Sequence, residues 1–231
     1  MIWKFLMAGV IGGVCYLDRT AACQMMFHRP IVVATLMGWV FGDFFAGAQV
    51  GAVLELIYLV HLPVGASLPP DDTGAAIFAG SAAAFASRDA VVDGGYFTAL
   101  ILLSVLCAEL GRWVDALVRK INGRIARIAR DAVERGDIKA VEQSLLAGLT
   151  LFGITGMFLA LSFSVVGVAV SFFLLPLISA GIRLDLSAIA LVLPLVGAAS
   201  VFACGRTEKT AWLFFLVMSV TFVATMIMRW I

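Results

Sequence analysis

Residues 30–60 read PIVVATLMGWVFGDFFAGAQVGAVLELIYLV, an apolar run whose only charged residues are Asp43 and Glu55. A bilayer core of roughly 30 Å is crossed by about 20 helical residues at 1.5 Å each. The run is too long for one straight crossing, and Gly42-Asp43 at its centre predicts a break or a hairpin there. An uncompensated carboxylate at mid-membrane costs about 3 kcal/mol, so both acids need either a partner or a task. In a continuous helix Asp43, Gly47, Gly51 and Glu55 would share one face, since each step of four residues advances the wheel by about 40°. The glycines would admit a neighbouring backbone and the acids would face a polar cavity. The competing reading is a packing stripe whose acids cap a break or pair with arginine.

The remainder of the chain has the same character. Of 231 residues, 62% are apolar and 13% charged, and the mean hydropathy is +1.06. Soluble domains run near 45–50% apolar and about 25% charged. A soluble globule, a disordered chain and a nucleic-acid binder are therefore excluded. The net charge of +1 singles out no partner. Cys15, Cys23, Cys107 and Cys204 show no CxxC spacing and read as packing residues. No metal ligand set and no cofactor are expected. Lys4 followed by the apolar stretch 5–14 resembles a signal peptide, but its end is a poor cleavage site.

The fold class read from these patterns is all-α, a polytopic transmembrane protein with broken or re-entrant helices. Residues 94–111, 184–204 and 210–231 each fit one crossing, residues 74–87 are too short to cross, and residues 145–176 read as one helix followed by a piece along the interface. Half of the basic residues lie between Arg112 and Lys139, which makes that connection cytoplasmic. The basic link 205–209 returns to the same side if residues 145–183 contain a single crossing. Trp113, Leu117, Ile121, Ile125 and Ile128 recur at helical spacing among the arginines, which predicts an amphipathic helix on the membrane surface, held by anionic lipid or by a partner. Three portions result: an N-terminal membrane portion 1–111, a cytoplasmic amphipathic basic segment 112–144, and a C-terminal membrane portion 145–231.

After Glu55 comes His61-Leu-Pro-Val-Gly-Ala-Ser-Leu-Pro-Pro-Asp71-Asp72-Thr73-Gly74, with three prolines and no basic residue. Regular helix fails there, and the freed backbone is tolerated at membrane depth only inside protein or around a wet cavity. Carboxylates accept hydrogen bonds and imidazole donates or accepts, so this stretch suits a solute rich in hydroxyls. Alternatively it is a periplasmic turn in which Asp72 or Thr73 caps the next helix. Upstream, Asp18-Arg19 leads through Gln24 to His28-Arg29-Pro30. Pro30 suits a first helical turn and Arg29 an interfacial anchor, while Gln24 and His28 remain candidates. The candidate binding residues are Glu55, His61, Asp71, Asp72, Asp43, Gln24 and His28.

Phe27-His28-Arg29-Pro30, Gly42-Asp43, Gly51-Ala-Val-Leu-Glu55, Val64-Gly65-Ala66 and Pro70-Asp71 together, over residues 12–90, resemble membrane subunit IIC of the mannose/fructose/sorbose family of bacterial phosphotransferase-system sugar transporters. The resemblance implies a multi-pass permease subunit of the bacterial inner membrane that translocates a hexose-like sugar, in an assembly of several copies with a membrane subunit IID. It also implies cytoplasmic IIA and IIB proteins that relay phosphate from phosphoenolpyruvate. The chain departs from the pattern at His61 and Pro63, where relatives often carry Trp and Asn, in a longer spacing from Leu17-Asp18 to Arg29-Pro30, and in a C-terminal end that reads as one helix shorter. Independently, residues 112–144 contain no His or Cys to carry a phosphoryl group, so the phosphate carrier must be another chain, and no catalytic residue is assigned here. Two rivals stand beside this reading. One is an ion-coupled secondary transporter with Glu55 as a proton or ion site. The other is a membrane enzyme holding a metal and a diphosphate on Asp71-Asp72.

Overall fold

The computed structural model describes residues 1–59, 61, 68–87 and 94–174. The expected crossings at 184–204 and 210–231, the link at 205–209 and the Val64-Gly65-Ala66 motif lie outside the described residues. All regular structure among the described residues is helical: α1 (Ile2–Thr20), α2 (Pro30–Phe41), α3 (Phe44–Tyr58), α4 (Asp72–Ala86), α5 (Gly94–Glu134) and α6 (Ile138–Leu174).

The break in the 30–60 run falls at Gly42-Asp43. Gly42 ends α2 with φ 109, a conformation that side chains resist, and Asp43 caps α3 by accepting the Ala46 N–H at 3.0 Å. Two short helices therefore fold back on each other, about 18 and 22 Å long, each less than a bilayer core. The glycine stripe does what its spacing predicts. A Cβ on Gly47 would stand 2.4 Å from the Ala34 carbonyl and 2.8 Å from Gly38 Cα, so α2 and α3 touch backbone to backbone.

Helix α4 is also too short to cross, at about 22 Å. Every one of its residues except Phe85 is buried, because its alanines, glycines and Ser81 let α2, α3, α5 and α6 close around it. The polar contact from Ser171 of α6 to the Ala82 carbonyl, 2.9 Å, shows how near the flanking helix comes.

Helices α5 and α6 are longer than the sequence patterns suggest. The basic segment is helical and has no start of its own, since α5 continues through residue 112 without interruption to Glu134, 41 residues or about 61 Å. Likewise α6 is one helix of 37 residues, about 55 Å, with no separate interfacial piece up to Leu174. Both are long and apolar enough to cross a membrane. They pack against each other as an arm closed at Gly136, φ 69, and most of the residues on either side of that turn are exposed. The cause is local: neither segment contains a proline, and the Arg and Ala residues frequent in α5 beyond residue 111 are good helix formers.

Candidate functional site

Four helix ends meet at one level of the bundle: the C-terminal ends of α1 and α3 and the N-terminal ends of α2 and α4, beside Ala108–Gly111 of α5. Asp71 caps α4 from this junction, accepting the Gly74 N–H at 3.1 Å. Its own N–H donates to the Ala108 carbonyl at 3.0 Å, which fastens the start of α4 to α5. The carboxylate is fully buried and doubly held: the Tyr16 hydroxyl donates at 2.5 Å and Arg19 Nη1 at 2.6 Å. Arg19 Nη2 reaches the Pro70 carbonyl at 2.9 Å and Asp72 Oδ1 at 3.4 Å. One guanidinium thus neutralises both acids, and a buried charge requires such a partner. The fit is close, because a Cβ on Gly111 would lie 2.0 Å from Asp71 Oδ2. A cavity of about 20 Å³ beside Tyr16 and Arg19 has room for a water and not for a sugar.

The loop between α1 and α2 is tied to the same junction. Buried Asp18 accepts the Met25 N–H at 2.6 Å and the His28 N–H at 3.3 Å, and His28 Nδ1 lies 3.0 Å from it. Thr73 donates its hydroxyl to the His28 carbonyl at 3.1 Å, joining the loop to α4. Cys23, Gln24 and Met26 take left-handed backbone conformations, with φ of 63, 51 and 66, which cost energy in L-residues. The bonds to Asp18 offset that strain.

Glu55 stands in the last turns of α3 and forms an ion pair with Arg29. Its second oxygen accepts the Ile31 N–H at 3.3 Å, so the carboxylate also caps the start of α2. Both side chains keep 18% of their surface exposed, unlike the sealed Asp71.

The candidate residues therefore separate. Glu55, Asp71, Asp72 and His28 gather at the junction. His61 is exposed, with its ring edge-on to Tyr58 at 6.0 Å. Gln24 is exposed on the loop, and its side chain makes no hydrogen bond among the described residues. Asp43 caps the N-terminal end of α3, about 18 Å along the helix from Glu55 and away from the junction. It stands beside the start of α1, where Lys4 Nζ donates to the Phe41 carbonyl at 3.2 Å. Sequence reasoning missed Arg19 and Tyr16 altogether, and their spacing of three on one helix face was the only available signal.

Residues 2–230 match the family of PTS system sorbose-specific IIC components. The chain belongs to this family. Over 151 residues this IIC chain is 28% identical to the mannose-specific EIIC component of Escherichia coli K12, covering 65% of this chain and 52% of that protein. It is 28% identical over 149 residues to the sorbose-specific EIIC component of Klebsiella pneumoniae, covering 64% and 52%. It is 29% identical over 142 residues to the fructose permease IIC component of Bacillus subtilis, covering 62% and 48%. The IIC chain spans about half the length of the curated relatives it matches. Among solved structures, one described as a membrane protein superimposes with a TM-score of 0.74 at 20% identity, covering 98% of this chain and 94% of that one. A chain of the mannose transporter ManYZ in complex with microcin E492 gives 0.60 at 21% identity, covering 96% and 86%. These two likenesses establish the fold. The protein is an all-helical membrane protein with broken helices.

Proposed function

We propose that this chain is the permease subunit of a phosphoenolpyruvate-dependent sugar phosphotransferase system in a bacterial inner membrane. The match to the IIC family over residues 2–230 carries this reading. The chain crosses the membrane several times, with the basic arm around Gly136 in the cytoplasm. It works with a membrane subunit IID, as several copies in one assembly, and with cytoplasmic IIA and IIB proteins that carry the phosphoryl group. The sugar is hexose-like and binds at the junction of the four helix ends, with Glu55, His61, Asp72 and His28 as its nearest polar groups. Asp71 orders the site through Arg19 and Tyr16, while Asp43 and Gln24 fall outside it.

The geometry supports this division of labour. Helix ends leave backbone groups unpaired, and acids with fixed counter-ions present hydrogen-bond acceptors without an unpaired buried charge. The ion-coupled reading is weaker, because Glu55 already spends its charge on Arg29 and on the start of α2. The metal–diphosphate reading is weaker too, since Asp71 and Asp72 both face the Arg19 guanidinium.

Calorimetric titration of the assembled IIC–IID complex with mannose, fructose and sorbose tests the site. Glu55→Gln keeps the shape and loses a charge-assisted acceptor, which is expected to weaken binding by about 1.5–3 kcal/mol. Unchanged affinity at equal assembly would remove Glu55 from the site and leave it as a cap for α2.

A further inference from the structure

The last turn of α3 carries a tyrosine that takes no part in the ion pairs and helix caps of the junction. Tyr58 is 4% exposed, and its hydroxyl is buried with no hydrogen-bond partner among the described residues. Buried polar groups nearly always find a partner, and an unpaired one costs roughly 1–3 kcal/mol. The surroundings offer charge but no bond. Asp72 and Asp71 at the start of α4 act on the phenol electrostatically, as do Glu109 and Cys107 of α5. These acids are committed elsewhere: Asp71 and Asp72 to Arg19, and Glu109 to Arg112 at 2.5 Å. Tyr58 also lies three residues beyond Glu55, about one helical turn, with its ring against that of His61.

We propose that the Tyr58 hydroxyl is a substrate-reading group, which hydrogen-bonds one hydroxyl of the sugar between the last turn of α3, the first turn of α4 and Cys107–Glu109 of α5. This rests on the sugar-permease reading above and adds a specificity-determining residue to it. A phenol both donates and accepts, as does a sugar hydroxyl, so either can complete the other. A site built around such a bond discriminates strongly against an analogue that lacks the hydroxyl. Fixed at the end of a packed helix, the phenol loses little freedom when it binds.

The test uses the assembled IIC–IID complex in lipid nanodiscs. Calorimetry with mannose, fructose and sorbose identifies the tightest sugar, and its monodeoxy analogues are then titrated into wild type and Tyr58→Phe. The melting temperature without sugar is measured in parallel. The variant is expected to bind the parent sugar about three- to tenfold more weakly. One deoxy analogue should bind wild type and variant equally, and the sugar-free melting temperature should stay level or rise. Equal affinity of the two proteins for the parent sugar would overturn the proposal. So would a lower melting temperature with unchanged affinity, which would show that the hydroxyl bonds within the protein. Wild type that binds none of the three sugars would instead bring down the permease reading itself, and this proposal with it.

Discussion

Replacing Arg19 by methionine tests whether the junction is held by one buried guanidinium. The change removes the charge and keeps most of the side-chain volume. In the wild-type protein the Arg19 side chain is 8% exposed and that of Asp71 1%, with 2.6 Å between them. In Arg19→Met the Asp71 carboxylate keeps the Tyr16 hydroxyl and the Gly74 N–H but loses its positive partner, and Asp72 loses it as well. Removing one member of a buried pair costs about 3–5 kcal/mol, because the remaining charge is stranded. The expected loss for Arg19→Met is therefore about 3–5 kcal/mol. Asp71→Asn in the Arg19→Met background should recover about half of that, since the neutral amide still accepts from Tyr16 and caps α4 less expensively than a stranded charge. Reversible unfolding in mixed micelles, followed by tryptophan fluorescence across the four members of the cycle, measures both numbers. A loss under 1 kcal/mol for Arg19→Met, or no recovery in the double variant, would refute the argument.

Two further variants probe the frame around the junction. Gly111→Ala places a methyl group on the Asp71 carboxylate, where 2.0 Å is available, and is expected to cost about 3 kcal/mol or more in the same unfolding assay; Gly123→Ala, which meets nothing within 4 Å on the same helix, should be neutral or slightly stabilising. Gly136→Cys in a cysteine-free background should resist an impermeant thiol reagent in intact cells and react in inverted vesicles, since the basic arm is placed in the cytoplasm. Labelling in intact cells would invert the topology.

The sequence made some features readable and hid others for identifiable reasons. The break at Gly42-Asp43 was readable because a run too long for one crossing met a glycine followed by a capping acid. The short α4 was readable from its length, and its burial follows from its small residues. The continuity of α5 was hidden, because a change from apolar to basic composition looks like a boundary although helix propensity does not change across it. The split among the site acids was hidden for another reason. Whether Glu55 faces a sugar or Arg29, and whether Asp71 faces a sugar or Arg19, depends on contacts across 26 and 52 residues of chain. Hydropathy and spacing carry no information about such pairs. Arg19 itself sits beside Asp18, at the end of an apolar helix, where an arginine reads as an ordinary interfacial anchor.

The claim that this chain is one part of a phosphoryl-coupled sugar permease is tested most directly by reconstitution. Radiolabelled mannose, fructose or sorbose is offered to proteoliposomes containing this chain alone, this chain with IID, and both with phosphorylated IIB on the side of the basic arm. Sugar phosphate is expected to accumulate inside only with all three components, in an amount that does not exceed the phosphoryl groups supplied on IIB. Accumulation of free sugar by the chain alone, driven by a proton gradient and indifferent to phosphoenolpyruvate, would contradict the account and establish the ion-coupled rival in its place.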